Sequence, residues 1–334
     1  MTKRLQQLNQ WLAEIIGSED YQLQPASGDA SFRRYFRLTH NDETCIVMDA
    51  PPAQEGCSPF IDVAERLLAV NINVPRILEK DLKQGFLLLS DLGDEQYLDH
   101  LTEESADKLY QDAMQALFCM QQQTDTNGLP PYDEKLLLQE MELFRDWLLK
   151  KHIGLDLSKE IQTMLDEVFK LLLDEALAQP KVFVHRDYHS RNLMINGSGF
   201  DSGNPGVLDF QDAVCGPFTY DLVSLLKDCY IKWPGQQIRG WAHNFFEQIA
   251  ENHPDIDEEK FMQWFDLMGV QRHLKASGIF ARLCHRDGKS GYLADIPRTL
   301  SYIVDLNGEY PELQSLIELI QGISITEANK LCMP

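Results

Sequence analysis

Hydrophobic positions follow two regimes along the 334-residue chain. Up to about residue 93 they come in short runs broken by turn-formers; from about 103 they recur every three or four residues over long stretches. The chain opens helically, with Leu5, Leu8, Leu12 and Ile15 on one stripe and polar residues between them. The next segment, YQLQPASGDASFRRYFRLTHNDETCIVMDAPP, reads as strand, loop, strand, turn, strand. Phe32, Tyr35 and the run Cys45 to Met48 supply strand-formers, HNDE supplies the turn, and Pro51 and Pro52 end the third strand. Residues 58–70 predict a helix with Ser58 as N-cap and Pro59 at the first helical position. VPRILEKDLKQGFLLLSDLG returns to extended structure, with a hairpin around 81–84 and an end near Gly93.

Long amphipathic helices are then predicted at 103–123, 132–150 and 157–178, interrupted by short strands at 182–185, 193–195 and 206–210. Further helices are expected at 220–231, 236–251, 257–285, 295–306 and 310–321. The pattern predicts an α+β, two-lobed plan: residues 1–93 form a small N-lobe of antiparallel sheet with helix, and 94–334 a larger, mainly helical C-lobe. Ligands usually sit between lobes.

Charge narrows the function classes. Fifty-two acidic against 30 basic side chains, net −22, exclude a broad phosphate-backbone-binding face and hence nucleic acid as partner. No run approaches the roughly 20 apolar residues of a membrane span, and the N-terminus lacks an apolar run of signal-peptide length. Seven scattered cysteines with no CxxC argue for a reducing, cytoplasmic setting. No obligate protein partner is evident.

Candidate chemistry concentrates in VFVHRDYHSRNLMI, residues 182–195, and in GVLDFQDAVCGPFTYDLVSLL after it. Here a strand runs into a polar loop carrying His185, Asp187, His189, Arg191 and Asn192, and a later strand delivers Asp209. An Asp, an Asn five residues on and a second Asp suit phosphoryl transfer from a magnesium nucleotide. That chemistry needs a carboxylate to orient or deprotonate a hydroxyl, and hard oxygen ligands for Mg²⁺. Each residue alone could merely cap a turn. His185, Asp187 and His189 also form an H-x-D-x-H cluster of the kind metal hydrolases use, although the other histidines lack ligand-like spacing.

HRDYHSRN resembles the H-x-D-x-H-x-x-N catalytic loop of aminoglycoside phosphotransferase and choline kinase-like enzymes, relatives of protein kinases, and LDFQDA resembles their metal-binding segment. The likeness covers nearly the whole chain and implies a protein-kinase-like fold, ATP and Mg²⁺ as cofactors, and a small-molecule substrate. By that resemblance Asp187 is the catalytic base and Asn192 and Asp209 are the magnesium ligands. GFLLLSDLG looks like the hinge, with backbone groups around Leu88 and Leu89 holding adenine; His189 and Asp212 are further candidates. The blocks SFRRYFRL, IVMDAPP, TYDLVSLLKD and QRHLKASGIFARL extend the resemblance to bacterial anomeric N-acetylmuramate/N-acetylglucosamine kinases of cell-wall sugar recycling. The function this implies is transfer of the γ-phosphate of ATP to the C1 hydroxyl of an amino sugar. Another alcohol, such as an aminoglycoside or choline, or a nucleotide-binding pseudokinase are the alternatives.

One departure stands out. The family's third strand carries a phosphate-binding lysine, and here that strand reads CIVMDAPP, with Met48 or a neighbour in its place; Glu65 is the acidic candidate on the next helix. Arginine offers a planar fork of donors suited to phosphate, and ASGDASFRRYFRL supplies three. Ser27, Gly28 and Ser31 allow close backbone approach to phosphate oxygens. Strand alternation puts Arg33 and Arg37 on one face and Arg34 on the other, with Arg33 or Arg37 expected to touch phosphate and a solvated basic edge as the competing explanation. The glycine-rich NGSGFDSGN, 196–204, is expected to be a hairpin loop rather than a phosphate cradle.

For the acceptor, Glu140, Phe144 and Trp147 fall at i, i+4 and i+7 and suit sugar recognition, or else a core stripe. Arg272 and His273 open a second basic concentration that could meet a carboxylate, or simply balance acidic surface.

Overall fold

The opening amphipathic stripe folds as α1 (Lys3–Ile16), burying Leu8, Trp11 and Leu12. A computed structural model of the chain describes residues 3–27, 33–54, 56–195 and 205–327. The chain divides into two units, Met1–Tyr97 with Asn192–Asp212, and Leu98–Arg191 with Ala213–Pro334.

In the first unit β1 (Gln22–Ser27), β2 (Arg34–His40), β3 (Glu43–Asp49), β4 (Ile77–Asp81) and β5 (Phe86–Ser90) form a five-stranded antiparallel sheet in the order β1-β2-β3-β5-β4. The HNDE turn is a two-residue hairpin in which Asn41 and Asp42 both have positive φ, as a twisted hairpin demands. Strand alternation sends Leu38, Val47, Phe86 and Leu88 to the face covered by α1. Met48, Leu87 and Leu89 are buried on the other. Helix α2 (Ser58–Ala69) starts one residue earlier than a Ser58 cap requires. Cys57 holds the cap position without a side-chain bond, so Ser58 is already helical.

Strands β6 (Lys181–Val184), β7 (Leu193–Met194), β8 (Gly206–Val207) and β9 (Val214–Pro217) follow. β7 and β8 pair antiparallel within the first unit, bridged to Gln96 and Asn73. Pairing stops at Val207, so the strand expected over 206–210 is shorter than its pattern. The tract 196–204 lies outside the described residues. Phe60 of α2 packs on Phe210 with ring centroids 4.8 Å apart, fixing the segment that carries Asp209.

Among its described residues the second unit is mainly helical, with the β6–β9 pair as its antiparallel strands. After the short α3 (Tyr97–His100) come α4 (Ala106–Gln123), α5 (Glu134–Leu143), α6 (Lys159–Leu177), α7 (Tyr220–Leu226), α8 (Gly235–Ile249), α9 (Glu258–Asp287), α10 (Ile296–Val304) and α11 (Gln314–Glu327). The helix expected over 132–150 is interrupted: from Phe144 to Ile153 it continues as a π-helix, with wider i→i+5 turns. α9 organises the unit, packing against α5, the π segment, α6, α7 and α10. Its ends obey elementary rules: Asp257 caps Lys260 N–H, Glu258 and Glu259 sit in the first turn, and Gly288 closes it in the left-handed region. At Gly278 its backbone comes so close to the α5–π junction that a Cβ would lie 2.3 Å from the carbonyl carbon of Leu143.

Candidate active site

The buried strand β6 delivers the catalytic-loop sequence. His185 is fully buried, and its Nδ1 accepts from the Asp187 N–H at 3.2 Å. Asp221 on α7 grips the loop's main chain: one carboxylate oxygen accepts from His185 N at 2.6 Å, the other from Arg186 N at 3.0 Å. Arg186 has φ +80, a strained conformation for a residue with a Cβ. Further along, Ser190 donates from both its backbone N (3.0 Å) and hydroxyl (2.5 Å) to Asp228, and Tyr188 donates to the Ala113 carbonyl. Tyr188 is thus a packing residue, and Asp187 lies between two main-chain anchors.

Asp187 faces a basic surround. Burial alone would raise its carboxyl, but Lys275, His189, Arg186 and Arg272 outweigh that and hold it below the ordinary aspartate value. It is therefore a carboxylate at neutral pH. His189 packs its ring 5.2 Å from that of Tyr230, and burial depresses its imidazole. The guanidinium of Arg191 lies 3.7 Å over the same Tyr230 ring. Asp221 shows the opposite balance to Asp187: burial pushes it up to about 7 against the pull of the two N–H groups it accepts.

The first unit brings Asn192 and Asp209 together. Leu208 N donates to the Asn192 carbonyl at 2.9 Å, and the Asn192 amide lies 3.4 Å from an Asp209 carboxylate oxygen. Gln211 donates to the other Asp209 oxygen at 2.7 Å. Asp209 has φ +63, again strained. A carboxylate and an amide oxygen on adjoining segments are the hard donors Mg²⁺ prefers, so the residues present fit that ion. Asp212 is exposed.

The arginine island resolves into separate tasks. Arg34 joins Arg4 on the fully buried carboxylate of Asp49, on the α1 face. Arg37 makes a bidentate pair with Asp91 (2.7 and 3.1 Å) and donates to the Gly93 carbonyl at 2.8 Å. The expectation that Arg37 serves phosphate is corrected: its fork is committed to the segment after β5. Arg33 is buried just before β2. Ser27 ends β1, whereas Gly28 and Ser31 lie outside the described residues. Met48, in the lysine's place, is buried opposite Tyr35 and Leu87, and Glu65 is exposed.

Leu88 and Leu89 are likewise corrected as backbone contacts for adenine. β5 is flanked by β3 and β4, with Leu88 opposite Val47 and Glu79 and Leu89 opposite Ile46 and Ile77, so ladder bonds take their main-chain groups.

On the acceptor side, Glu140 is buried, 5% exposed, and both its oxygens are engaged by Tyr132, Arg186 and Lys275. Phe144 is core, and Trp147, on the wider π turn, is half-buried. The Glu140–Phe144–Trp147 sugar face therefore gives way, because π geometry breaks the i, i+7 alignment and Glu140 is already paired. His273 is also a core residue: it stacks on Tyr302 at 4.7 Å and 7°, bonds the Lys227 carbonyl at 2.8 Å, and is held neutral with its value lowered to about 3, mainly by burial. Arg272 is 5% exposed, has a contact to the Cys229 sulfur at 3.5 Å, and stays near Asp187.

Lys275, Asp221 and Asp228 belong to this site; pattern reading placed Lys275 only within the second basic concentration and gave Asp221 and Asp228 no role. Their signal was acidic or basic residues inside otherwise apolar helical runs, TYDLVSLLKD and HLKASGIF, where burial forces each charge to find a partner.

Comparison with known proteins matches residues 22–265 to the phosphotransferase enzyme family model. An N-acetylmuramate/N-acetylglucosamine kinase of Pseudomonas aeruginosa is 46% identical over 332 residues, covering 96% of this chain and 97% of that protein. One from Neisseria meningitidis is 39% identical over 320 residues, covering 94% of each. Among solved structures, a thermostable mutant of an aminoglycoside phosphotransferase in its apo form aligns with TM-score 0.59 at 14% identity over 90% of this chain and 99% of that one. A Plasmodium vivax ethanolamine kinase aligns with TM-score 0.62 at 12% identity, over 87% and 85%. These structural likenesses bear out the two-lobed kinase fold. With a family model spanning most of its length and relatives this similar end to end, the chain belongs to the phosphotransferase enzyme family.

Proposed function

We propose that the protein transfers the γ-phosphoryl group of ATP to the anomeric hydroxyl of N-acetylmuramate or N-acetylglucosamine. The observation that carries this reading is Asp187: a carboxylate gripped on both sides by main-chain anchors and kept ionised by its basic surround. The substrate assignment is supported by the names of relatives up to 46% identical over nearly the whole chain. In the proposed step Asp187 accepts the acceptor's hydroxyl proton. The hydroxyl oxygen then bonds to the γ-phosphorus as the bond to ADP breaks. Asn192 and Asp209 would hold Mg²⁺, which when bound neutralises charge on the phosphates.

We assign nucleotide binding to residues 1–93 and the acceptor to 94–334. Phosphate is assigned to Arg33, buried just before β2 and next to residues 28–32 in the sequence, and an oxygen-rich acceptor to Arg272. Adenine is assigned to the segment after Ser90 rather than to Leu88 and Leu89. The need for ATP supports a cytoplasmic setting; among the described residues no helix is long and apolar enough to cross a membrane.

The test is ADP release by purified protein with ATP and Mg²⁺ against N-acetylmuramate, N-acetylglucosamine, an aminoglycoside and choline. Turnover is expected with the two amino sugars and abolished in Asp187→Asn, with ATP affinity kept within about threefold, a difference below ~1 kcal/mol. ATP binding without turnover on any acceptor would establish the pseudokinase instead.

A further inference from the structure

Behind Asp187 lies a buried ionic cluster that the phosphoryl-transfer chemistry does not itself require. Glu140, on α5, takes the Arg186 guanidinium at 2.5 Å and the Lys275 ammonium at 3.2 Å on one oxygen, and the Tyr132 hydroxyl on the other. Lys275, on α9, also donates to the Tyr220 hydroxyl at 2.8 Å. Glu140 and Lys275 are each less than a tenth exposed, so neither charge would persist there without its partners. Packing fixes the cluster's geometry. Gly216 leaves the space into which Tyr132 fits, since a Cβ there would lie 2.7 Å from the tyrosine's own. Gly278, three residues after Lys275, touches the backbone at Leu143, three residues after Glu140.

Two features make this more than a structural ion pair. Arg186 immediately precedes Asp187 and holds a left-handed conformation, and the cluster clamps its side chain while Asp221 clamps its backbone. The cluster also carries two cations against one carboxylate, leaving one unit of positive charge beside Asp187.

We propose that Glu140 and Lys275 act through Arg186 as positioning residues: they lock the residue before the base in its strained conformation and keep a net positive charge behind the base's carboxylate. Neither residue touches substrate. The proposal rests on the reading of Asp187 as the base. The charged and titratable groups facing Asp187 are Lys275 and Arg272 from α9, Arg186 and His189 from its own loop, and Asp221 from α7.

Opposite charge changes separate this role from plain stability. Lys275→Met removes the surplus cation, and the acid limb of the kcat/KM pH profile should move to higher pH. Glu140→Gln keeps the shape, adds net positive charge, and should move that limb to lower pH. Both should lower kcat at least tenfold with the KM for ATP within about twofold, and Lys275→Arg should recover most of the Lys275→Met loss. Acid limbs that stay put, or that move in the same direction in both variants, overturn the proposal. Should Lys275→Met fail to fold, Glu140→Gln and Lys275→Arg decide, because an arginine with wild-type pH profile alongside an unshifted Glu140→Gln also overturns it. Wild-type protein as inactive as Asp187→Asn on every acceptor would instead overturn the functional reading beneath it.

Discussion

Gly278→Ala sets two effects of known size against each other. In a helix interior, alanine is favoured over glycine by about 0.8–1.0 kcal/mol. At this position, however, the new Cβ would meet the Leu143 carbonyl carbon at 2.3 Å and its oxygen and the Phe144 nitrogen at 2.5 Å. These are backbone atoms, so no side-chain rotation relieves the contact. Reaching ordinary van der Waals separation, about 3.5 Å, requires the α5–π junction to retreat from α9 by roughly 1 Å. Overpacking of this kind costs about 1–3 kcal/mol. The retreat offsets or outweighs the propensity gain, and a net loss of up to about 2 kcal/mol is expected. The same retreat separates Glu140 from Lys275, so kcat should fall as well. Gly240, in α8, is the control, since a Cβ there would meet nothing within 4 Å. Alanine at that position should stabilise by about 0.5–1 kcal/mol. Urea unfolding followed by far-UV circular dichroism, with kcat on the same samples, checks both. A Gly278→Ala midpoint that rises with that of Gly240→Ala, at wild-type kcat, refutes the reasoning.

Two further outcomes follow from burial. Asp221 titrates near 7 in the folded state against an ordinary value of 3.8, so its contribution to stability is fully present below about pH 4 and is lost as pH rises through 7. Asp221→Asn should remove that loss, at most about 4 kcal/mol; urea midpoints at pH 4.5 and 7.5 that differ equally between wild type and variant would contradict it. His273→Phe keeps the stack on Tyr302 but leaves the Lys227 carbonyl without its bond, at a cost of about 1–3 kcal/mol. Thermal unfolding should register this while the KM for the acceptor stays unchanged. A raised acceptor KM at unaltered stability would return His273 to the binding site.

Legibility in the sequence tracked how local each feature is. The β2–β3 hairpin needed only HNDE and its flanking alternation, and the helical period over 257–285 located α9 to within two residues at each end. The catalytic loop was readable because its polar residues interrupt a buried strand run. What failed were readings that depended on a partner elsewhere. The ideal α spacing of Glu140, Phe144 and Trp147 hid the π-helix, which α9 accommodates through one glycine. Strand alternation separated Arg34 from Arg33 and Arg37, yet it carried no sign that Asp49 on the neighbouring strand and Asp91 just after β5 would take Arg34 and Arg37.

The order of amino acids by itself determined the two regimes of hydrophobic period, the element types, most helix ends and the catalytic-loop motif. Each of these rests on backbone propensity and contacts a few residues apart. Tertiary structure decided which charges would meet. A buried charge takes whichever partner the packing brings within about 3 Å, and neither spacing nor propensity encodes that distance. Glu140, read as a sugar ligand, became the counter-ion of Arg186 and Lys275 for that reason, and the aspartate beside them acquired its anchored, basic setting.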